Sequence, residues 1–406
     1  MSSSTLPIYL AQTSPLSPQP SLEESNEYIF PSIQHNVHIV RTHLWEAEKS
    51  LQGHGVVVFP EYALQGIIDG FKSYALPAYW LIRLIQDLST LTSLHIVLTI
   101  VEPCLNDLTS SQSLHSIPPS PFDFGSDPSL SNSSRRLKGP RMLSEKEKTE
   151  WKNYESQMDH KGYEMINVAY FVRPEGGWER YEKRNLWHPE RDYLQPGKTY
   201  SQVFDTPWGK AGMLICWDLS HPQAVQRLVE EGAVVIFVPT FWLATDSDPI
   251  AKRYAKNPGC EKTFDSVLLP SLCLVRSFEG ECVLVMCNPG SSSNRSDLLE
   301  TASSCPSPAI NGVAGAVVDD NDGDDDDVDG IYARLQIEGS KIAQTRNTPQ
   351  QGFFGSSGVW APLIGLEGTG AGTKEGSWAG KIGLEVILDA RELYKIAEDH
   401  AKSLIS

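Results

Sequence analysis

Three side chains in this sequence have the types needed for acyl-transfer chemistry, and all three stand in the same kind of place. Cys216 closes the apolar run Gly212-Met213-Leu214-Ile215. Glu61 follows Val56-Val57-Val58-Phe59-Pro60, and Lys183 follows the segment Trp178 to Tyr181. Short apolar runs bounded by turn residues read as buried strands, so each of the three is expected at or just beyond a strand end. Open α/β sheets gather their reactive groups there. A free thiol is only ~3% thiolate at pH 7, so a cysteine nucleophile needs a base to take its proton or a cation to hold its anion. Glu61 is the candidate base and Lys183 the candidate cation. Lys183 and the backbone N–H of Trp217 are also candidates to hold the oxyanion that forms when a thiolate attacks a carbonyl.

The elements that must position these groups follow from periodicity. Around Cys216 the chain predicts a strand over Lys210 to Cys216, then an elbow, then a helix to about Glu231 that stops at Gly232. Ser220 with Gln223 has the form of a capping box, and Pro222 suits a first helical turn. An elbow of this kind exposes a nucleophile, and its free N–H groups are expected to favour the thiolate. Upstream, Pro7–Gln12 reads as a strand, Asn26–Gln52 as a helix with an apolar stripe, and Val56–Phe59 as a strand. A helix over Ala78–Thr92 and a strand over Ile96–Val101 follow. This alternation predicts a layered α/β fold. Ser144 with Glu147 opens a charged helix, and Met165–Arg173 and Trp178–Tyr181 form a hairpin about Pro174-Glu175-Gly176-Gly177. Later segments predict strands at Gln202–Thr206, Ala233–Val238, Cys282–Cys287, Tyr332–Ile337, Ser357–Trp360 and Leu384–Leu388. Helices are expected over Leu268–Phe278 and Ala390–Ser403.

The bulk properties narrow the function classes. The chain has 406 residues, 40% hydrophobic, and a formal net charge of −17. That balance disfavours nucleic acid or an anionic membrane as the partner. Seven cysteines without regular spacing form no disulfide framework and no C-x-x-C zinc pair. No signal peptide and no membrane-length apolar run is evident, so a cytoplasmic protein is expected. Asn106–Pro140, rich in Ser and Pro, and Ser291–Gly330, acidic at its end, read as insertions in a single domain over residues 6–404. Asp325-Asp326-Asp327-Val328-Asp329-Gly330 fits half of a calcium loop, but position twelve is Gln336 rather than glutamate. No metal site is expected.

Taken together, Val57-Val58-Phe59-Pro60-Glu61-Tyr62, Tyr181-Glu182-Lys183 and Leu214-Ile215-Cys216-Trp217-Asp218 resemble the three signature blocks of the nitrilase superfamily, the carbon–nitrogen hydrolases. Ala11-Gln12, Arg276–Asn288, Gly355–Pro362 and Leu384–Tyr394 resemble further parts of that family's chain. The resemblance implies an α-β-β-α sandwich of two packed mixed sheets with outer helices. It also implies hydrolysis of a non-peptide C–N bond through a thioester on cysteine, without cofactor or metal, in a homodimer. Glu61, Lys183 and Cys216 would be the catalytic three, and Glu190 a second glutamate that orients substrate. Trp187, His188, Trp217, Phe241 and Trp242 are candidates for an apolar substrate pocket or for ordinary core. True nitrilases usually carry Trp then Glu after the nucleophile, whereas Trp217-Asp218 stands here. The expectation is therefore a small amide substrate, with nitrile or carbamoyl compounds, or a catalytically silent binding module, as alternatives.

Overall fold

The computed structural model describes residues 5–20, 28–104, 117–122, 141–247, 263–291, 352–370 and 372–403. The described strands fall into two six-stranded sheets. The first runs β12-β1-β2-β3-β4-β5, from β1 (Thr5–Gln12), β2 (Val56–Val58), β3 (His95–Cys104), β4 (Glu164–Val172), β5 (Trp178–Glu182) and β12 (Gly376–Gly383). The second runs β11-β10-β9-β8-β7-β6, from β6 (Phe204–Thr206), β7 (Gly209–Met213), β8 (Val235–Pro239), β9 (Val283–Cys287), β10 (Gly358–Ala361) and β11 (Gly365–Thr369). Each sheet is mixed: β1, β2 and β3 are parallel, as are β7, β8 and β9, and the outer pairs are antiparallel.

Side-chain alternation shows how the sheets are layered. Leu6, Ile8 and Leu10 of β1, Val56 and Val58 of β2 and Val97 of β3 pack between the sheets, on the side that Met213, Val235 and Phe237 face from the second sheet. The intervening Tyr9, Val57, Ile96 and Leu98 pack on the other face, under helices α1 (Pro31–Leu51) and α2 (Ala78–Thr92). Helices α4 (Pro222–Glu230) and α5 (Phe264–Gly280) cover the outer face of the second sheet through Val225, Leu228, Leu269 and Cys273. The order is thus helix, sheet, sheet, helix. Strands covered on both faces have no solvated side, which is why these sequences lack polar alternation.

Most predicted elements form within a residue or two of their expected ends, including the capping box of Ser144 and Glu147 that starts α3 (Glu145–Lys161). Several do not. β7 ends at Met213 rather than Cys216, because Cys216–Ser220 winds into a 3-10 turn. The Ser220–Gln223 box does not form; His221 occupies the N-cap of α4 without a side-chain cap, and Pro222 starts the helix. Leu384–Leu388 is helical, in α6 (Glu385–Tyr394), and Lys395, with φ of 56°, separates it from α7 (Ile396–Ser403). The last strand is instead β12, paired antiparallel to β1 along its whole length. Gly-rich β11 and β12 carry little intrinsic strand preference and depend on their partners for it.

Residues 105–116, 123–140, 248–262 and 292–351 lie outside the described residues, and with them most of both expected insertions. The acidic run, the Tyr332–Ile337 strand, Cys260 and Cys305 fall there too. The described part of the first insertion is packed down. The carbonyls of Pro118, Pro119 and Pro121 accept hydrogen bonds from Trp80, Trp151 and Gln34 at 2.9, 3.0 and 2.7 Å.

Candidate active site

Glu61, Lys183 and Cys216 arrive from three elements and both sheets. Glu61 lies just past β2, where its N–H donates to the Thr240 carbonyl at the end of β8. The next residue, Tyr62, takes φ of 61°, and its N–H donates to the Thr99 hydroxyl at 2.8 Å. Gln65 then anchors the loop, donating to the Tyr74 and Val101 carbonyls and accepting from the Val101 N–H. Lys183 follows β5, and its N–H donates to the Asn167 carbonyl of β4 at 2.8 Å. Cys216 takes φ of 45°, a left-handed conformation that a non-glycine residue holds only when its surroundings impose it.

What imposes it is Asp218. This buried carboxylate accepts from the Ile215 N–H and the Tyr181 hydroxyl on one oxygen, at 3.0 and 2.9 Å. On the other it accepts from the Asn185 N–H and Nδ2, at 3.1 and 2.8 Å. The nucleophile elbow is thereby tied to the loop that follows Lys183. Behind the elbow, Arg276 of α5 donates to the Leu219 carbonyl at 3.1 Å.

Lys183 is the hub. Its ammonium is 2.6 Å from Glu61 Oε1 and 2.6 Å from Glu190 Oε1, with all three side chains buried. Glu190 Oε1 also accepts from the Tyr62 hydroxyl at 2.5 Å, and Glu190 Oε2 from the Trp187 N–H at 2.7 Å. Glu61 Oε1 also accepts from Asn167 Nδ2 at 2.7 Å. Two ammonium protons are thus engaged, and the third has no acceptor among the described residues.

The electrostatics divide the roles. Burial pushes the Glu61 carboxyl up to about 7 against the opposing pull of Lys183, which suits a base working near neutrality. Burial works against the Lys183 cation, but Glu190 and then Glu61 outweigh it and hold the ammonium protonated, well above the usual range. The Cys216 thiol is raised by burial and then by the Glu61 charge, with Lys183 opposing. This corrects the expectation of a resting thiolate: Cys216 is 6% exposed and sits beside a carboxylate. It is held as a thiol next to a base. Cys273, Cys282 and Cys287 are also buried thiols raised by burial; Arg276 and Arg391 oppose this at the first two, and no carboxylate among the described residues acts on any of them as Glu61 does on Cys216.

The candidate substrate residues form one aromatic chain. Trp242, Trp217, Trp187 and His188 are in successive ring contact, with centroids 5.4, 4.3 and 5.0 Å apart. The chain runs from Trp242, buried beside Asp265, to His188 at the surface. Phe241 stands apart from it, edge-on to Tyr62 and Phe353. Sequence reasoning missed Tyr62, Asn167 and the bracing role of Asp218. Asn167 was within reach: counting both hairpin strands back from the turn at 173–177 puts it opposite Lys183. Among the described residues no cluster of three His, Cys, Asp or Glu side chains is arranged to hold a metal ion.

Residues 146–259 match the family model for carbon–nitrogen hydrolases. Over 62 residues the chain is 40% identical to the N-carbamoylputrescine amidase of Arabidopsis thaliana, 15% of this chain and 20% of that protein. The chain thus matches about a fifth of the length of that curated relative. Its fold is similar to a carbon–nitrogen hydrolase of Helicobacter pylori G27, with a TM-score of 0.56 and 15% identity over 97% of this chain and 94% of that one. It is also similar to Nit3 of Saccharomyces cerevisiae, described as a member of branch 10 of the nitrilase superfamily. There the TM-score is 0.53 and the identity 14%, over 97% of this chain and 95% of that one.

Proposed function

We propose that this chain, whose residues 146–259 match the carbon–nitrogen hydrolase family model, is a hydrolase of that kind and cleaves the C–N bond of a small amide through a thioester on Cys216. The observation that carries this reading is the buried Lys183 ammonium, 2.6 Å from both Glu61 and Glu190, beside a thiol at a strained elbow. Glu61 takes the thiol proton as sulfur attacks the carbonyl carbon. The oxyanion is held by the third Lys183 proton and the Trp217 N–H. As the C–N bond breaks, Glu61 returns the proton to the leaving nitrogen. It then takes a proton from water, whose oxygen attacks the thioester, and the acid and the thiol leave.

Glu190 does not compete as a base. Both of its oxygens already accept from Lys183, Tyr62 and Trp187, so its part is to keep Lys183 charged and in place. The aromatic chain from Trp242 to His188 supports an apolar or flat group on the acyl side. The curated relative's name, N-carbamoylputrescine amidase, supports an amide or carbamoyl substrate.

A homodimer is part of the same reading. On α5, Phe264, Val267, Leu274 and Phe278 are exposed along one face. Leu388, Leu393 and Tyr394 of α6 extend it, with Tyr394 against Phe278. An apolar face of this extent is unusual on a monomer. A second copy would cover it directly behind the elbow.

The test is mass spectrometry of the protein mixed with amides, nitriles and carbamoyl compounds. An acyl mass on Cys216 with amides, and ammonia or amine release lost in Cys216→Ala, is the expected result. A folded protein that acylates with none of them is a binding module, and the proposal is then wrong.

A further inference from the structure

We propose that Asn167 is a positioning residue which, together with Lys183, occupies both lone pairs of Glu61 Oε1 and so leaves Oε2 as the oxygen that receives the Cys216 proton. The inference rests on the reading of Glu61 as the base.

A carboxylate oxygen offers two in-plane lone pairs. On Glu61 Oε1 one is taken by Lys183 Nζ at 2.6 Å and the other by Asn167 Nδ2 at 2.7 Å. Oε2 has no N–H or O–H donor among the described residues, and the Cys216 thiol is one of the groups that act electrostatically on this carboxyl group. A proton leaving sulfur therefore finds its free site on Oε2. Without Asn167 the carboxylate would be held at one point, free to turn about its Cγ–Cδ bond and to offer either oxygen.

The amide orientation is fixed by the same contact, since the flipped form would set Oδ1 against the carboxylate oxygen, acceptor to acceptor. That orientation has a cost. Asn167 is 1% exposed, and its Oδ1 is buried with no partner among the described residues. An orphaned buried carbonyl gives no structural return. Backbone pairing already fixes the strand here, through the Lys183 N–H on the Asn167 carbonyl and the register of Asn167 with Val101. The side chain is thus not needed to hold the sheet, and the donor to Glu61 is what it supplies.

The titratable groups facing Glu61 are Lys183 after β5, Glu190 in the following 3-10 turn, Tyr193 just after that turn, Cys216 at the elbow and Tyr62 on its own loop. Of the neutral donors, Asn167 is the one bonded to the carboxylate. Removing it withdraws a hydrogen bond from the charged form of the base, so the apparent pKa of that base rises.

The experiment reads Cys216 alkylation by iodoacetamide against pH, site-resolved by mass spectrometry, and needs no substrate. In the wild type the rate climbs through one inflection, absent in Glu61→Gln. In Asn167→Leu, similar in volume, and in Asn167→Ala, the inflection moves up by roughly one pH unit while circular dichroism stays unchanged. An unmoved inflection in folded variants overturns the proposal, and so does failure of both variants to fold, which would make Asn167 structural. A wild type with no inflection dependent on Glu61 sinks the base assignment instead.

Discussion

The two glutamates beside Lys183 are chemically alike and are separated by how many donors each already holds. Glu190 has donors on both oxygens, whereas Glu61 keeps one oxygen open and has its carboxyl pushed up to about 7 by burial. Its active form is the carboxylate, so activity is lost as pH falls through that value. kcat/KM for an amide substrate is expected to be roughly tenfold lower at pH 6 than at pH 8. Glu61→Gln should abolish this limb and lower kcat by about 10²–10⁴-fold. A limb that persists in Glu61→Gln would show that Glu61 is not the group being titrated. Tyr62→Phe keeps the edge contact with Phe241 and removes the hydroxyl from Glu190 Oε1. Losing a donor to a buried carboxylate costs about 1–3 kcal/mol. The expected signature is a drop in kcat of roughly tenfold with KM little changed. A change in KM alone would move Tyr62 from the charge network to the substrate wall.

At the scale of elements, the site depends on one carboxylate that never meets substrate. Asp218 links the end of β7, the side chain of β5 residue Tyr181 and the loop carrying Asn185. Asp218→Ala removes four acceptor contacts and leaves their donors buried. The expected loss is about 3 kcal/mol or more of stability, read as a lower urea midpoint. Cys216 alkylation should slow as well, because φ of 45° at the nucleophile would no longer be enforced. Wild-type stability in that variant would mean that the elbow is held by packing alone. The same elbow shows where local signals stop: Ser220, Pro222 and Gln223 promise a capped helix, yet the turn from Cys216 takes up Ser220, and the helix starts at Pro222 without a side-chain cap.

For the whole molecule, the exposed apolar side chains of α5 and α6 are costly to leave in water. Phe278, in contact with Tyr394, is near the middle of this face. Light scattering during size exclusion should give a dimer for the wild type and a monomer for Phe278→Asp, since a buried unpaired carboxylate is strongly disfavoured. A wild-type monomer would refute the face as an interface. α5 also bonds to the Leu219 carbonyl through Arg276, so the interface would lie one helix away from the nucleophile.

Much of this was present in the letters. Val56-Val57-Val58, Ile96–Val101 and Val235–Val238 announce strands buried on both faces, and the ends of short apolar runs gave Glu61 and Cys216, while Lys183 follows the partly exposed hairpin strand Trp178–Glu182. These signals are local, set by side-chain type and spacing. Glu190 was found through family resemblance, and the structure brings it within 2.6 Å of Lys183. β11 and β12 were missed because glycine-rich segments have little preference of their own, and pairing with β10 and β1 makes them strands. Which carboxylate oxygen is open, whether the resting sulfur is thiol or thiolate, and what braces the elbow were equally out of reach. Those properties depend on distances and burial among residues far apart in the chain, which only the packed sheets create.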